Sequence, residues 1–174
     1  MSVKFTKISP QDIKDNPFKA VGDDWMLITA GDLGSFNTMT ASWGGMGVLW
    51  NKNIAFCVVR PTRYTYEFME KADTFTLSFF TDKYRKVLDF CGTRSGRDCD
   101  KVRETGLTAA ETENGSVYFT EAKLVLECRK IYIDDIDPRN FTDPKLDRHY
   151  PQKDYHKMYV GEIINVLVKA DETE

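Results

Sequence analysis

Between residues 38 and 47 the chain reads Thr-Met-Thr-Ala-Ser-Trp-Gly-Gly-Met-Gly, with a hydroxyl at every second position until glycines take over. A repeat of two belongs to a strand. On it Thr38, Thr40 and Ser42 share one face, and Met39, Ala41 and Trp43 share the other. The apolar face can enter a core while the opposite one carries small hydrogen-bonding groups with little bulk above them. Two readings fit: a surface for a flat polar ligand, or a half-exposed antiparallel strand with its threonines on the wet side.

The flanking segments predict more strands. Residues 25–29 read as a strand closed by a turn over 30–34, whose glycines suit tight bends. Asn51, Lys52 and Asn53 read as a turn before the apolar run 54–59, which Pro61 stops. From Tyr64 onward Phe68 and Ala72 recur at helical spacing, predicting a helix of about two to three turns with Thr62 or Thr65 as its cap. Residues 74–80 alternate hydroxyl and apolar groups as a strand, and Tyr84, Leu88 and Cys91 mark a second helix closed by Gly92. A short helix over 101–104, started by Asp98 or Asp100 and ended by Gly106, follows a loop. Residues 122–133 and 158–169 read as long strands, the latter with a bulge at Gly161. Strands outnumber helices and do not alternate with them regularly. The expected class is therefore mainly β, an antiparallel barrel with peripheral helices. Residues 134–155, with three prolines among Asp, Arg and Asn, form an irregular insertion that suggests a lid, an interface arm or partial disorder. The acidic end at 171–174 reads as a solvated tail.

At 174 residues the chain suits one domain spanning 1–174. A net charge of −3 argues against sequence-independent nucleic-acid binding, which needs excess Lys and Arg. No run approaches the roughly 18 apolar residues of a membrane span and no signal core opens the chain, so a soluble, cytoplasmic protein is expected. Cys57, Cys91, Cys99 and Cys128 lack disulfide or zinc spacing and read as free thiols, Cys91 and Cys99 being the two candidates for reactivity.

Candidate chemistry gathers at a few places. Arg60, Arg63 and Thr65 sit where an apolar strand meets a helix N-terminus, a natural cradle for phosphate. Residues 91–98 concentrate cations, hydroxyls and glycines in an otherwise acidic chain. The glycines at 44–47 do not follow the dinucleotide-binding order. His149 and His156, even with Asp143, Asp147 and Asp154 nearby, lack a compact ligand spacing, so no metal is expected.

Taken together, the motif 37–45, the Arg-Pro-Thr-Arg-Tyr-Thr run 60–65, residues 77–80, the loop 91–98 and the run 156–163 resemble the flavin reductase-like family of FMN-binding split barrels, its flavoredoxins especially. The resemblance implies a Greek-key split β-barrel that forms a homodimer, with FMN near the subunit interface and NADH or NADPH as reductant. Carried over, Thr38, Thr40, Ala41, Ser42 and Trp43 line the isoalloxazine and ribityl chain. Arg60, Arg63 and Thr65 hold the phosphate, and Ser95, Gly96 and Arg97 complete the flavin site. Met39 and Tyr64 fall among the same cofactor-binding positions. His156 matches a histidine near the flavin's reactive face and is the catalytic candidate, although Tyr155 stands between it and Asp154, where many relatives have Asp adjacent. The implied function is an FMN-dependent oxidoreductase passing electrons from a nicotinamide to a second acceptor. A flavoredoxin-type electron carrier served by a redox partner protein and a non-catalytic flavin-binding module are the alternatives.

Overall fold

The alternation at residues 38–43 is realised at the edge of a curled antiparallel sheet. A computed structural model describes residues 4–170. Its strands are β1 (Phe5–Ile8), β2 (Met26–Asp32), β3 (Ser35–Ala41), β4 (Gly44–Leu49), β5 (Lys52–Val59), β6 (Thr74–Phe79), β7 (Ala109–Glu111), β8 (Val117–Phe119), β9 (Leu124–Asp135) and β10 (Lys157–Lys169). Three helices, α1 (Tyr64–Lys71), α2 (Arg85–Thr93) and α3 (Lys101–Thr105), lie at the periphery. None of the helices among the described residues is long and apolar enough to cross a membrane.

The main sheet runs β3-β2-β6-β9-β10-β5-β4, with β1 added against β10, and every pairing is antiparallel. Its two edge strands, β3 and β4, are consecutive in the chain and joined only by Ser42 and Trp43. So short a link reaches at most about 10 Å, so the sheet must curl until its ends meet. The result is the antiparallel Greek-key split barrel with peripheral helices that the sequence predicted.

Met26, Ile28, Met39, Phe75, Leu77, Leu126 and Tyr159 fill the barrel, while Leu27, Phe80, Leu88, Phe119 and Val125 form a second cluster beneath α2 and the β7–β8 hairpin. Glu127 is fully buried and accepts hydrogen bonds from Thr112 Oγ1 (2.6 Å), Asn114 Nδ2 (3.1 Å) and Asn165 Nδ2 (2.6 Å), which fastens the β7–β8 turn to the barrel. Burial opposes its charge, but these donors hold its carboxyl below the usual range.

Strand β10 carries the curl. It pairs β9 with register shifts at Val160/Gly161 and Ile163/Asn165, while its first half pairs β5 and its end pairs β1. The expected bulge at Gly161 is present, and the reason for glycine is steric. A Cβ there would fall 2.6 Å from Cys128 Cβ and 2.9 Å from the Phe75 ring.

Several local expectations shift. The strand expected over 25–29 is β2 and starts at Met26, because Trp25 is in the left-handed region at φ 71°. The following turn narrows to Leu33 and Gly34, where Asp32 Oδ1 accepts the N–H groups of Gly34 (2.8 Å) and Ser35 (3.0 Å). Between β4 and β5 the turn is Trp50-Asn51, both at positive φ, as tight hairpins require. Neither Thr62 nor Thr65 caps α1, whose N-cap is Arg63 without a side-chain bond. Gly92 lies inside α2 rather than closing it. Asp100 caps α3 by accepting the N–H of Arg103, and Gly106 ends it in the left-handed conformation, as expected. Strand β1 and the β7–β8 hairpin were not foreseen. The insertion is ordered: Asp137 and Asp143 start 3-10 turns at Pro138–Asn140 and Pro144–His149. The acidic tail lies outside the described residues.

Gly161→Ala should lower stability by about 1–3 kcal/mol, since the extra methyl meets packed atoms. Gly47→Ala, with nothing within 4 Å, should change it little. Urea denaturation of both variants checks the contrast.

Candidate functional site

At the split between β3 and β4 the backbone leaves the ladder, and a cleft of about 210 Å³ opens there. Met39, Thr40, Ala41, Ser42 and Trp43 form one wall, and Val58, Arg60, Arg63 and His156 the other. A smaller recess of about 120 Å³ lies beside it, between residues 62–65 and 92–96, floored by Asn37 and Lys101. Arg63 lines both. The fold therefore brings most of the sequence-predicted positions together; Thr38 and Arg97 line neither space and face a third groove further out.

The hydroxyl row does not present itself as expected. Thr38 Oγ1 is buried against Thr29 Oγ1 (2.9 Å) and the Ile28 carbonyl (3.2 Å), and Thr40 Oγ1 donates to the Leu88 carbonyl of α2. That face is covered by helices rather than by water, with α2 and α1 packed against β3. Thr40 therefore does not offer its hydroxyl to the cleft it lines with Ala41 and Ser42. Thr65 is also buried; its Oγ1 accepts from Asn37 Nδ2 (2.7 Å) and keeps its own proton to donate.

The two arginines of the 60–65 run have different fates. Arg60 is tied to the insertion, through Asp154 Oδ1 (2.7 Å) and the His149 carbonyl (2.8 Å), and lies 4.9 Å from the centre of the Tyr150 ring. Arg63 donates through Nη1 to the Gly92 carbonyl (2.9 Å), while its Nη2 is buried with no partner. Burial and the nearby Arg60 lower its pKa. The sequence reading missed Lys101. It is 6% exposed, and its Nζ donates to the carbonyls of Thr38 (2.8 Å) and Cys91 (2.9 Å), with no carboxylate beside it. Burial, with Arg63 adding repulsion, pushes its pKa down to about 8. The only sequence signal was a lysine at the first position of a capped short helix, where a cation is unfavourable.

The 92–99 loop reaches this recess through its backbone. A Cβ at Gly96 would lie 2.0 Å from Asn37 Oδ1, so only glycine lets the loop approach β3. Ser95 Oγ accepts the Arg97 N–H (3.2 Å), and the Arg97 guanidinium sits 4.7 Å from the Tyr64 ring centre. Cys91 is buried and its thiol is pushed up to about 11, which keeps it protonated.

His156 is 8% exposed, and its Nδ1 shares a hydrogen bond with Tyr150 OH (2.9 Å). Its ring tilts against Trp43 at 5.2 Å, and His149 meets the same indole edge-on at 5.4 Å. Burial, then the charge of Arg60, pushes its pKa down to about 4, so the imidazole is neutral near pH 7. Tyr150 packs against it, and Phe141 and Tyr155 pack on Tyr150, so the insertion backs the His156 side of the cleft. Among the described residues no cluster of three His, Cys, Asp or Glu side chains assembles; Asp147 bonds Tyr155 and Lys153, and Asp143 caps a turn.

Residues 19–174 match the model of the flavin reductase like domain. Among curated proteins none matches the sequence. Solved structures share the fold at low identity. An FMN-binding domain of a flavin reductases-like enzyme from Shewanella baltica superposes with a TM-score of 0.70 at 16% identity, covering 97% of this chain and 79% of that one. The flavoredoxin of Desulfovibrio vulgaris gives 0.65 at 24% identity, over 96% and 78%. An NADH:FAD oxidoreductase from Streptomyces globisporus, in complex with NAD and FAD fragments, gives 0.62 at 16% identity, over 87% and 77%.

The depressed pKa of His156 has a definite sign. The unfolded chain binds a proton near pH 6.5 that the folded chain refuses until about pH 4, so stability falls as pH drops through that window, by up to ~3 kcal/mol. Urea midpoints between pH 7 and pH 5 should fall less for His156→Gln than for the parent. Equal slopes would place the titration on another group.

Proposed function

The chain belongs to the flavin reductase-like family, and from that premise we propose that it is an FMN-dependent oxidoreductase that takes electrons from NADH or NADPH and passes them to a second acceptor. The observation that carries this reading is the pair of buried cations in the recess: Arg63 with an orphaned Nη2 and Lys101 with no carboxylate. Leaving such groups uncompensated costs several kcal/mol in a protein interior. A phosphate monoester answers both. Arg63 donates from its free Nη2, Lys101 from its remaining N–H, and Thr65 from its hydroxyl, with the loop at Ser95 and Gly96 closing around the anion.

When bound, FMN supplies the redox chemistry, exchanging electrons with a nicotinamide and with an acceptor. The protein's own contribution is shape and electrostatics. Residues 40–43 line the side of the cleft that would meet the ring system, and neutral His156 stands on the other. Arg60 holds the insertion in place through Asp154 instead of binding phosphate. His156 is the catalytic candidate, able to present a hydrogen bond without adding charge. The reading extends to a single domain over 1–174, a cytoplasmic location and a homodimer. The exposed Val48, Leu49, Trp50, Tyr132 and Ile133 offer an apolar face for that dimer.

One observation favours the carrier alternative. The insertion's His149 packs edge-on against Trp43 beside the cleft, which would narrow the approach for a nicotinamide. Anaerobic stopped-flow mixing separates the two: bleaching of the bound flavin by NADH or NADPH supports a reductase, and no bleaching by either supports a carrier fed by a partner protein.

Purified protein should be yellow or take up FMN. Arg63→Ala and Lys101→Met should each weaken FMN roughly tenfold or more, as loss of a charged hydrogen bond implies, while leaving riboflavin affinity nearly unchanged. Fluorescence titration of apoprotein reads both constants, and a chain that takes up no FMN refutes the cofactor assignment.

A further inference from the structure

We propose that Tyr150, carried by the 134–155 insertion, is a positioning residue for His156: its hydroxyl donates to Nδ1 and fixes the imidazole in the tautomer that bears its single proton on Nε2, the nitrogen open to the cleft. The consequence for electron transfer rests on the flavin reading of the cleft, while the tautomer is a property of the chain alone. The local fold brings the two rings together. Tyr150 follows the 3-10 turn Pro144–His149, its carbonyl accepts the N–H of Lys153 (3.0 Å), and Lys153 reverses the chain at φ 57°. Just ahead of β10 the His156 carbonyl accepts the N–H of Ile136 (2.9 Å), which anchors the histidine beside the end of β9. Residues six apart therefore meet edge to face, with ring centres 5.5 Å apart, planes at 77° and Tyr150 only 4% exposed.

Chemistry decides which partner donates. The phenol is the more acidic donor and the imidazole nitrogen the more basic acceptor, so O–H to Nδ1 is the stronger arrangement. The reverse would leave the phenolic proton in a buried setting with no acceptor, since Tyr150 OH has no second partner among the described residues. Burial raises the Tyr150 pKa, with Arg60 offsetting it in part, so the phenol keeps the proton it donates. A bond that requires a bare Nδ1 also opposes protonation of the ring, in the same direction as burial, Arg60 and Arg63, while Asp154 works against it. Nε2 is the nitrogen left over. It makes no hydrogen bond among the described residues and is not one of the buried atoms without a partner, so it reaches open space, and the space that His156 lines is the cleft. There the ring presents a neutral N–H. A donor in that place suits a carbonyl oxygen of a flavin or of a substrate, whereas the other tautomer would offer a lone pair and repel it.

The chain has two histidines, so the tautomer can be read directly. Parent protein with nitrogen-15-labelled histidine, His156→Gln for assignment and Tyr150→Phe are followed by nitrogen NMR between pH 4 and pH 8, as apoprotein and after FMN is added. In the parent, His156 should show a bare, pyridine-type Nδ1 and a protonated, pyrrole-type Nε2, and the Nε2 signal should shift when FMN binds. Loss of the hydroxyl in Tyr150→Phe should average both nitrogens between the two forms and move the titration of His156 to higher pH by about 0.5 or more, with thermal melts as the folding control. A protonated Nδ1 in the parent overturns the proposal whether or not the variant folds, and so do a tautomer and a titration left unmoved by the variant. If the parent shows the expected tautomer but Nε2 does not respond to FMN, or no FMN binds, the hold of Tyr150 on the ring stands and the placing of His156 at a flavin fails.

Discussion

The whole arrangement follows from one covalent constraint: the strands at the two ends of the sheet are separated in sequence by Ser42 and Trp43 alone. A link that short forces a seven-strand path to come full circle. Two-residue links elsewhere in the sheet make paired hairpins, but here β3 pairs only β2 and β4 only β5, and the two are not hydrogen-bonded to each other. The barrel is therefore closed by covalent bonds where it is open in hydrogen bonds. A cleft at that point is a consequence of topology, and its walls are whatever residues 39–43 happen to carry.

A second constraint is electrostatic. The chain is acidic as a whole, yet Arg63 and Lys101 converge on one recess without a carboxylate. Carbonyl oxygens of Thr38, Cys91 and Gly92 solvate them only in part. Burial depresses both pKa values, with Arg60 adding to the effect at Arg63 and Arg63 at Lys101, so the free protein keeps two poorly compensated cations in place, preorganised for an anion. Neutral His156 matters by contrast. Because burial and Arg60 keep it uncharged, the positive potential is concentrated in the recess and is not spread along the cleft.

Much of this was legible in the sequence, and the gaps have physical causes. Period-two and apolar runs located six of the strands, since each buries at least one face and so keeps a pattern. β1 and β7 escaped because they are short and largely exposed or half-exposed, leaving no alternation to read. Residues 38–41 were placed correctly on a strand, while Ser42 and Trp43 fall in the link beyond it, and which face met water could not be told from a repeat of two: α2 covers the hydroxyl side, and Thr40 bonds to its Leu88 carbonyl. The arginine run pointed to the right region, yet only the fold shows that Asp154, 94 residues away, occupies Arg60 and leaves Arg63 free. Lys101 carried no motif. Its importance lies in what surrounds it, and sequence does not record surroundings.

The insertion joins these threads. Its prolines and aspartates start turns locally, but what seats it on the barrel is a set of contacts to the cleft wall: Asp154 on Arg60, His149 and His156 on Trp43, and Tyr150 on His156. An ion pair with one partner 26% and the other 15% exposed contributes more than a surface bridge, and the aromatic contacts add burial around it. The same residues that seat the insertion thereby set the charge state of His156 and the width of the approach to Trp43. The packing around Trp43 and the electrostatics of His156 are therefore governed largely by one structural element. The neighbouring recess is lined by none of the insertion's residues. Apart from Arg63, which lines both, the cleft and the recess are shaped by different stretches of chain and can be altered separately.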